Sequence, residues 1–171
     1  FLDGVEAYAV QGTPADSVIL ATETLTKEPI DLLVSGINTG SNLGNDVFVS
    51  GTVGAAFHGY FRKIPSIAVS VTTLFDVRFE VAANLASALA SLAKAGRLPH
   101  HLLLNVNIPN KAAEQIKGVQ VTRLAGNSYI EVVDEGTDGR QTYYWIKRSR
   151  PSWKLAEGTD IWAVKNDYIS I

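Results

Sequence analysis

Residues Ile30–Ser70, IDLLVSGINTGSNLGNDVFVSGTVGAAFHGYFRKIPSIAVS, decide how the chain is to be read. They open on an apolar run, Ile30 to Val34, set between Pro29 and Ser35-Gly36. That is the pattern of a strand buried on both faces of a parallel sheet. Polar residues follow at once. Open α/β sheets bind ligands beyond the carboxyl ends of their strands, so the loop Gly36 to Gly51 occupies the place where a site is built. It carries Asn38, Thr39, Ser41, Asn42, Asn45, Asp46 and Ser50. Ser50-Gly51-Thr52 then leads Val53, Ala56, Phe57 and Tyr60, which have the spacing of one apolar helix face, with Ser50 or Thr52 as the cap. Free N–H groups at such a helix start, with hydroxyls beside them, suit an anion the size of phosphate. A plain capped helix accounts for the same letters.

Working upstream, Phe1 to Val10 is a short alternating stretch, and Thr13-Pro14-Ala15-Asp16 reads as a helix start with Thr13 as N-cap, Pro14 at N1 and Asp16 at N3. Working downstream, Ile64 to Val71 predicts a second buried strand with Pro65 at its start. Val77 to Ala95 predicts a long helix stopped by Gly96, and Leu102 to Pro109 a third strand in which Asn105 and Asn107 alternate with apolar neighbours. From Gly118 the pattern changes to β-branched alternation, a turn cluster over Asp134 to Gly139, and the aromatic run Thr142-Tyr143-Tyr144-Trp145-Ile146. This predicts a hairpin extension over 118–150, followed by a last strand, Tyr168 to Ile171. The fold class expected is a three-layer α/β/α sandwich with a mostly parallel, Rossmann-like sheet and an antiparallel β-hairpin extension.

Composition narrows the function classes. The chain has 171 residues, room for one domain with a full core, and 46% hydrophobic with 19% charged residues makes it globular. A net charge of -2 gives no basic field for long nucleic acid, while a mononucleotide needs only a local site. With no cysteine there are no disulfides and no thiolate metal sites. No long apolar span or secretory segment is present, so no membrane partner is expected, and a soluble cytoplasmic protein is. The chain starts on Phe1, contains no Met and ends on the alternation Ile169-Ser170-Ile171, which reads as a fragment.

Taken together, Ser35-Gly36-Ile37-Asn38-Thr39-Gly40-Ser41-Asn42-Leu43-Gly44, Ser50-Gly51-Thr52 and Ile64-Pro65-Ser66-Ile67-Ala68-Val69-Ser70 resemble the central signature of the SurE family, the survival-protein nucleotidases. Leu104-Asn105-Val106-Asn107-Ile108-Pro109 and Gly158-Thr159-Asp160 resemble later segments of it. The resemblance implies one SurE-like domain over 1–171, incomplete at both ends, and a metal-dependent phosphatase acting on nucleoside 5′- and 3′-monophosphates. It implies a divalent cation, Mg²⁺ or Mn²⁺, held by an Asp pair, a serine and the Asn matching Asn38. Asn42 matches an Asn beside metal and phosphate, and Ser50, Gly51 and Thr52 match the phosphate-binding segment. Asn42, Ser50 and Thr52 are thereby the candidate catalytic residues. Subunit contacts in a homodimer or homotetramer are implied for the hairpin, with Tyr143, Tyr144 and Trp145 as interface residues.

The family's Asp pair has no counterpart in this sequence, and a neutral amide oxygen does not hold a hard divalent cation alone. The isolated chain is therefore expected to be weakly active or inactive. Two other readings stay open: a non-catalytic nucleotide or phosphate binder, and an oligomerisation fragment. His58 is expected at the surface of the post-loop helix, and His100-His101 lacks zinc-ligand spacing.

Overall fold

The computed structural model describes residues 4–126, 130–149 and 155–171. Helix α1 (Pro14–Leu20) starts as its sequence predicts. The Asp16 N–H donates to Thr13 Oγ1 at 3.2 Å, and the Thr13 N–H donates to Asp16 Oδ2 at 2.7 Å, a reciprocal capping box. That backbone bond and the Thr13 hydroxyl hold the Asp16 carboxyl below its ordinary range. A π-helical turn, Ala21–Leu25, continues α1.

Strand β1 is Leu33–Thr39, displaced from the expected Ile30–Val34. It runs on through Ser35 to Thr39 because β2 (Ser66–Val71) offers a full ladder of partners, from Leu33 opposite Ser66 to Thr39 opposite Val71, with one irregularity between Ser35 and Asn38. Pairing outweighs the weak strand propensity of Ser, Gly and Asn. Nor is β1 buried on both faces: it stands first in the sheet, and Val34 is 41% exposed. The polar loop therefore begins at Gly40.

Every residue of β2 is buried, and its alternation assembles the layers. Ile67, Val69 and Val71 pack with Val81, Ala82, Leu85 and Leu89 of α3 (Glu80–Lys94). Ala68, on the opposite face, packs with Val53, Ala56 and Phe57 of α2 (Gly51–Phe61). Small residues on that face let α2 approach closely. A Cβ at Gly59 would stand 2.4 Å from Ser66 Oγ, so only glycine fits there. Helices on both faces of the sheet give the expected three layers.

The sheet continues through β3 (Leu103–Ile108), parallel to β2, and its order is β1-β2-β3-β7-β4. Strand β7 (Tyr168–Ser170) is antiparallel to β3, and β4 (Gly118–Gln120) is parallel to β7. Gly118–Gln120 thus belongs to the main sheet. The hairpin proper is β5 (Ile130–Thr137) with β6 (Thr142–Ser149), a separate two-stranded sheet. A short helix α4 (Asp160–Lys165), capped by Thr159, precedes β7. Helix α3 begins at Glu80, later than Val77, because 72–79 form an irregular connection held by Asn110, whose Oδ1 accepts from the Arg78 N–H and whose Nδ2 donates to Asp76 O. Among the described residues no helix is long and apolar enough to cross a membrane.

Ile67 is fully buried at the centre of the larger core cluster. Ile67→Ala is expected to lower stability by about 2–5 kcal/mol, read as a reduced urea midpoint at unchanged m-value.

Candidate functional site

The loop that crosses the carboxyl ends of β1, β2 and β3 has little secondary structure of its own, so its peptide groups depend on side chains from elsewhere. Asn42 is the centre of that arrangement, 7% exposed. Its N–H donates to Asn107 Oδ1 at 2.9 Å, and its carbonyl accepts from Asn105 Nδ2 at 2.9 Å and Asn107 Nδ2 at 3.0 Å. Its own Nδ2 donates to Ser70 Oγ at 2.7 Å. Ser70, Asn105 and Asn107 lie on adjacent strands in register, Asn107 opposite Ser70 and Asn105 opposite Ala68, and share the sheet face that α2 covers.

Two residues on, the Gly44 N–H donates to Asp160 Oδ2 at 2.7 Å. Asp160 Oδ1 accepts from the Ala125 and Ile161 N–H groups, each at 2.8 Å, so this carboxylate, 2% exposed, joins three segments distant in sequence. Gly44 has φ +53, and a Cβ there would stand 2.2 Å from Gly126 O. No other residue brings this backbone so near.

A 3₁₀ turn, Gly44–Val49, then delivers the chain to α2. Ser50 is the N-cap, its Oγ accepting from the Val53 N–H at 3.1 Å, which resolves the choice between Ser50 and Thr52. The N–H groups of Gly51 and Thr52 stand in the first turn, where the helix offers no acceptor. The Thr52 hydroxyl has no partner among the described residues.

Asn38, the expected metal ligand, lies in β1 opposite Ser70. Its Nδ2 donates to Gly40 O at 2.9 Å, the local turn bond that an Asn in a loop commonly makes, and its Oδ1 accepts nothing from the described residues. Asn38 and Asn42 therefore flank Ser70, and Ser50–Thr52 begin the helix that covers the same face. As a cation site the donor set is incomplete. Asn38 offers one neutral oxygen, and among the described residues no three His, Cys, Asp or Glu side chains are grouped to hold a metal.

Sequence reasoning missed Ser70, Asn105, Asn107 and Asp160 as parts of this site. The alternation of Asn105 and Asn107 in an otherwise apolar strand was the available signal, since buried amides require partners. Asn105 Oδ1 remains buried without one. His58 departs from expectation too: its Nδ1 is buried without a partner and its ring lies edge-on to Phe61. The interface candidates split by strand alternation. Tyr143 and Trp145 pack edge to face at 4.5 Å over Gly136, while Tyr144, 63% exposed, points to the other face.

Comparison with known proteins gives concordant results. The family described as "Survival protein SurE" matches residues 2–131. The chain is 46% identical over 172 residues to the 5′-nucleotidase SurE of Dehalococcoides mccartyi strain CBDB1, covering 99% of this chain and 65% of that protein. It is 46% identical to the 5′-nucleotidase SurE of Heliobacterium modesticaldum, covering 96% and 61%. The crystal structure of the SurE protein from Aquifex aeolicus superposes with a TM-score of 0.80 at 42% identity, covering 94% of this chain and 65% of that one. The chain thus spans about two thirds of the length of the relatives it matches.

Asp160→Asn replaces an acceptor by an amide that cannot accept on both sides. A loss of about 2–3 kcal/mol is expected, with faster hydrogen exchange at the Gly44 and Ala125 amides as the local readout.

Proposed function

Because the chain belongs to the survival protein SurE family, we propose that it carries the phosphate-binding half of a metal-dependent phosphatase acting on nucleoside 5′- and 3′-monophosphates. The observation that supports this best is the side-chain scaffold under the loop: Asn105, Asn107 and Asp160 hold Asn42 and Gly44 so that Asn38 Oδ1 remains open at the same sheet end as the start of α2. Open N–H groups at Gly51 and Thr52, with the Ser50 and Thr52 hydroxyls, hold phosphoryl oxygens and offset their charge. Asn42 keeps the loop in place, its Oδ1 the side-chain atom left to face a ligand. In the reaction water attacks phosphorus, the ester P–O bond breaks, and the leaving alkoxide takes a proton to give nucleoside and inorganic phosphate.

A divalent cation, Mg²⁺ or Mn²⁺, belongs to the proposal, with Asn38 as one neutral ligand. The described residues do not complete its shell. The same shortage of acidic ligands supports a second reading for the isolated chain, a nucleotide binder that does not turn over. In the hairpin, exposed Tyr143, Tyr144 and Trp145 fit a contact between copies in a homodimer or homotetramer. A cytoplasmic setting completes the proposal.

Phosphate release from a panel of nucleoside monophosphates, with Mg²⁺, Mn²⁺ or EDTA, tests the activity on this chain and on the full-length product of its gene. Turnover by the full-length protein with metal, lost in EDTA and lowered by about two orders of magnitude in Asn38→Ala, is expected. Nucleotide binding without release under any metal would leave the binder reading. Separately, Tyr144→Ser with Trp145→Ser is expected to shift the size-exclusion profile to a smaller species, and an unchanged profile would remove the hairpin from the interface.

A further inference from the structure

Asn42 is held at two independent levels. Its backbone N–H and carbonyl are taken by Asn105 and Asn107, which fix where the residue stands without involving its side chain. The side chain has one partner among the described residues, Ser70 Oγ, which accepts from Nδ2 at 2.7 Å. Ser70 is fully buried, and its hydroxyl makes no other bond among the described residues. The residues beside it are otherwise engaged. Asn38, opposite in β1, gives its Nδ2 to Gly40 O, and Asn107, opposite in β3, uses both ends of its amide on the Asn42 backbone. Resting on the phosphatase reading, we infer that Ser70 is a positioning residue for the hydrolysis, because it decides which end of the Asn42 amide faces the substrate.

The two ends of an amide are chemical opposites, since the nitrogen donates and the oxygen accepts. With Nδ2 committed to Ser70, the end left for the site is Oδ1, which accepts nothing from the described residues. Phosphoryl oxygens are acceptors too, so this end does not bind them. Water is a donor, and water is the attacking group. Asn42 Oδ1 therefore accepts from that water and orients it toward phosphorus, taking no proton from it. The placement agrees with this. Ser70 shares its sheet face with Ala68, which Val53 and Ala56 of α2 cover, so the amide and the start of that helix stand over one stretch of sheet. A reversed amide would instead offer its NH₂ to the phosphate and contribute to binding.

Ser70→Ala removes a single oxygen, and it is read in two ways on the full-length product of the gene. By NMR of the isotope-labelled protein, the Asn42 side-chain NH₂ is expected to lose its protection from exchange, while the Asn42 backbone N–H, bonded to Asn107, keeps its own. In turnover of nucleoside monophosphates with Mg²⁺ or Mn²⁺, kcat is expected to fall about tenfold while KM changes by less than about twofold. A residue that only supported the fold would not give that split. Should Ser70→Ala fail to fold, Ser70→Cys, with a weaker acceptor of similar size, is read in the same way. An unaltered side-chain signal, loss of protection at both Asn42 amides, an unchanged kcat, or a rise in KM alone would overturn the inference. No turnover by the unaltered full-length protein under either metal would sink the phosphatase reading, and the role in hydrolysis with it, even where the NMR signature of Ser70 stands.

Discussion

A loop laid across the end of a buried sheet has to find partners for its own peptide groups, and here a few side chains supply them. Asn105 and Asn107 reach the backbone of Asn42 from the third strand, and Asp160 reaches Gly44 from a helix far along the chain. An unpaired buried peptide group costs about 1–3 kcal/mol, so these bonds make the loop conformation specific as well as stable. Everything proposed for function stands on that conformation: the open oxygen of Asn38, the exposed start of α2 and the amide of Asn42 held by Ser70.

Much of the layered fold was legible because its signals are local. Thr13-Pro14-Ala15-Asp16 forms the capping box its letters encode, and Ile67-Ala68-Val69 sends large residues to α3 and a small one to α2 by strand alternation alone. What the letters left out depends on partners. Ser35 to Thr39 looks like loop and becomes strand because β2 lies beside it. Gly118 to Gln120 looks like the root of a hairpin and becomes part of the main sheet because β7, encoded some fifty residues on, returns to pair with it.

The candidate site shows the same division. Its glycines, hydroxyls and amides were visible in one stretch, and the resemblance gave them an order. Its supports were not, since nothing in the local sequence of Asp160 says that its carboxylate accepts from residues 44 and 125. Around Asn38 the loop offers a neutral oxygen, and among the described residues no carboxylate cluster is grouped with it. Hard cations select charged oxygen donors, so completion of that shell is what separates a catalyst from a binder.

The reach of the bonds that fix the loop has a consequence for synthesis. Asn42 meets Asn107 across 65 residues and Gly44 meets Asp160 across 116. Contacts of such sequence separation form late, since a long stretch of chain must close before they return any stabilisation. A ribosome-bound chain that has exposed the whole Ile30–Ser70 stretch still lacks the partner of Gly44. Binding competence therefore arrives near the end of translation of this segment, well after the sheet's first strands are able to pair.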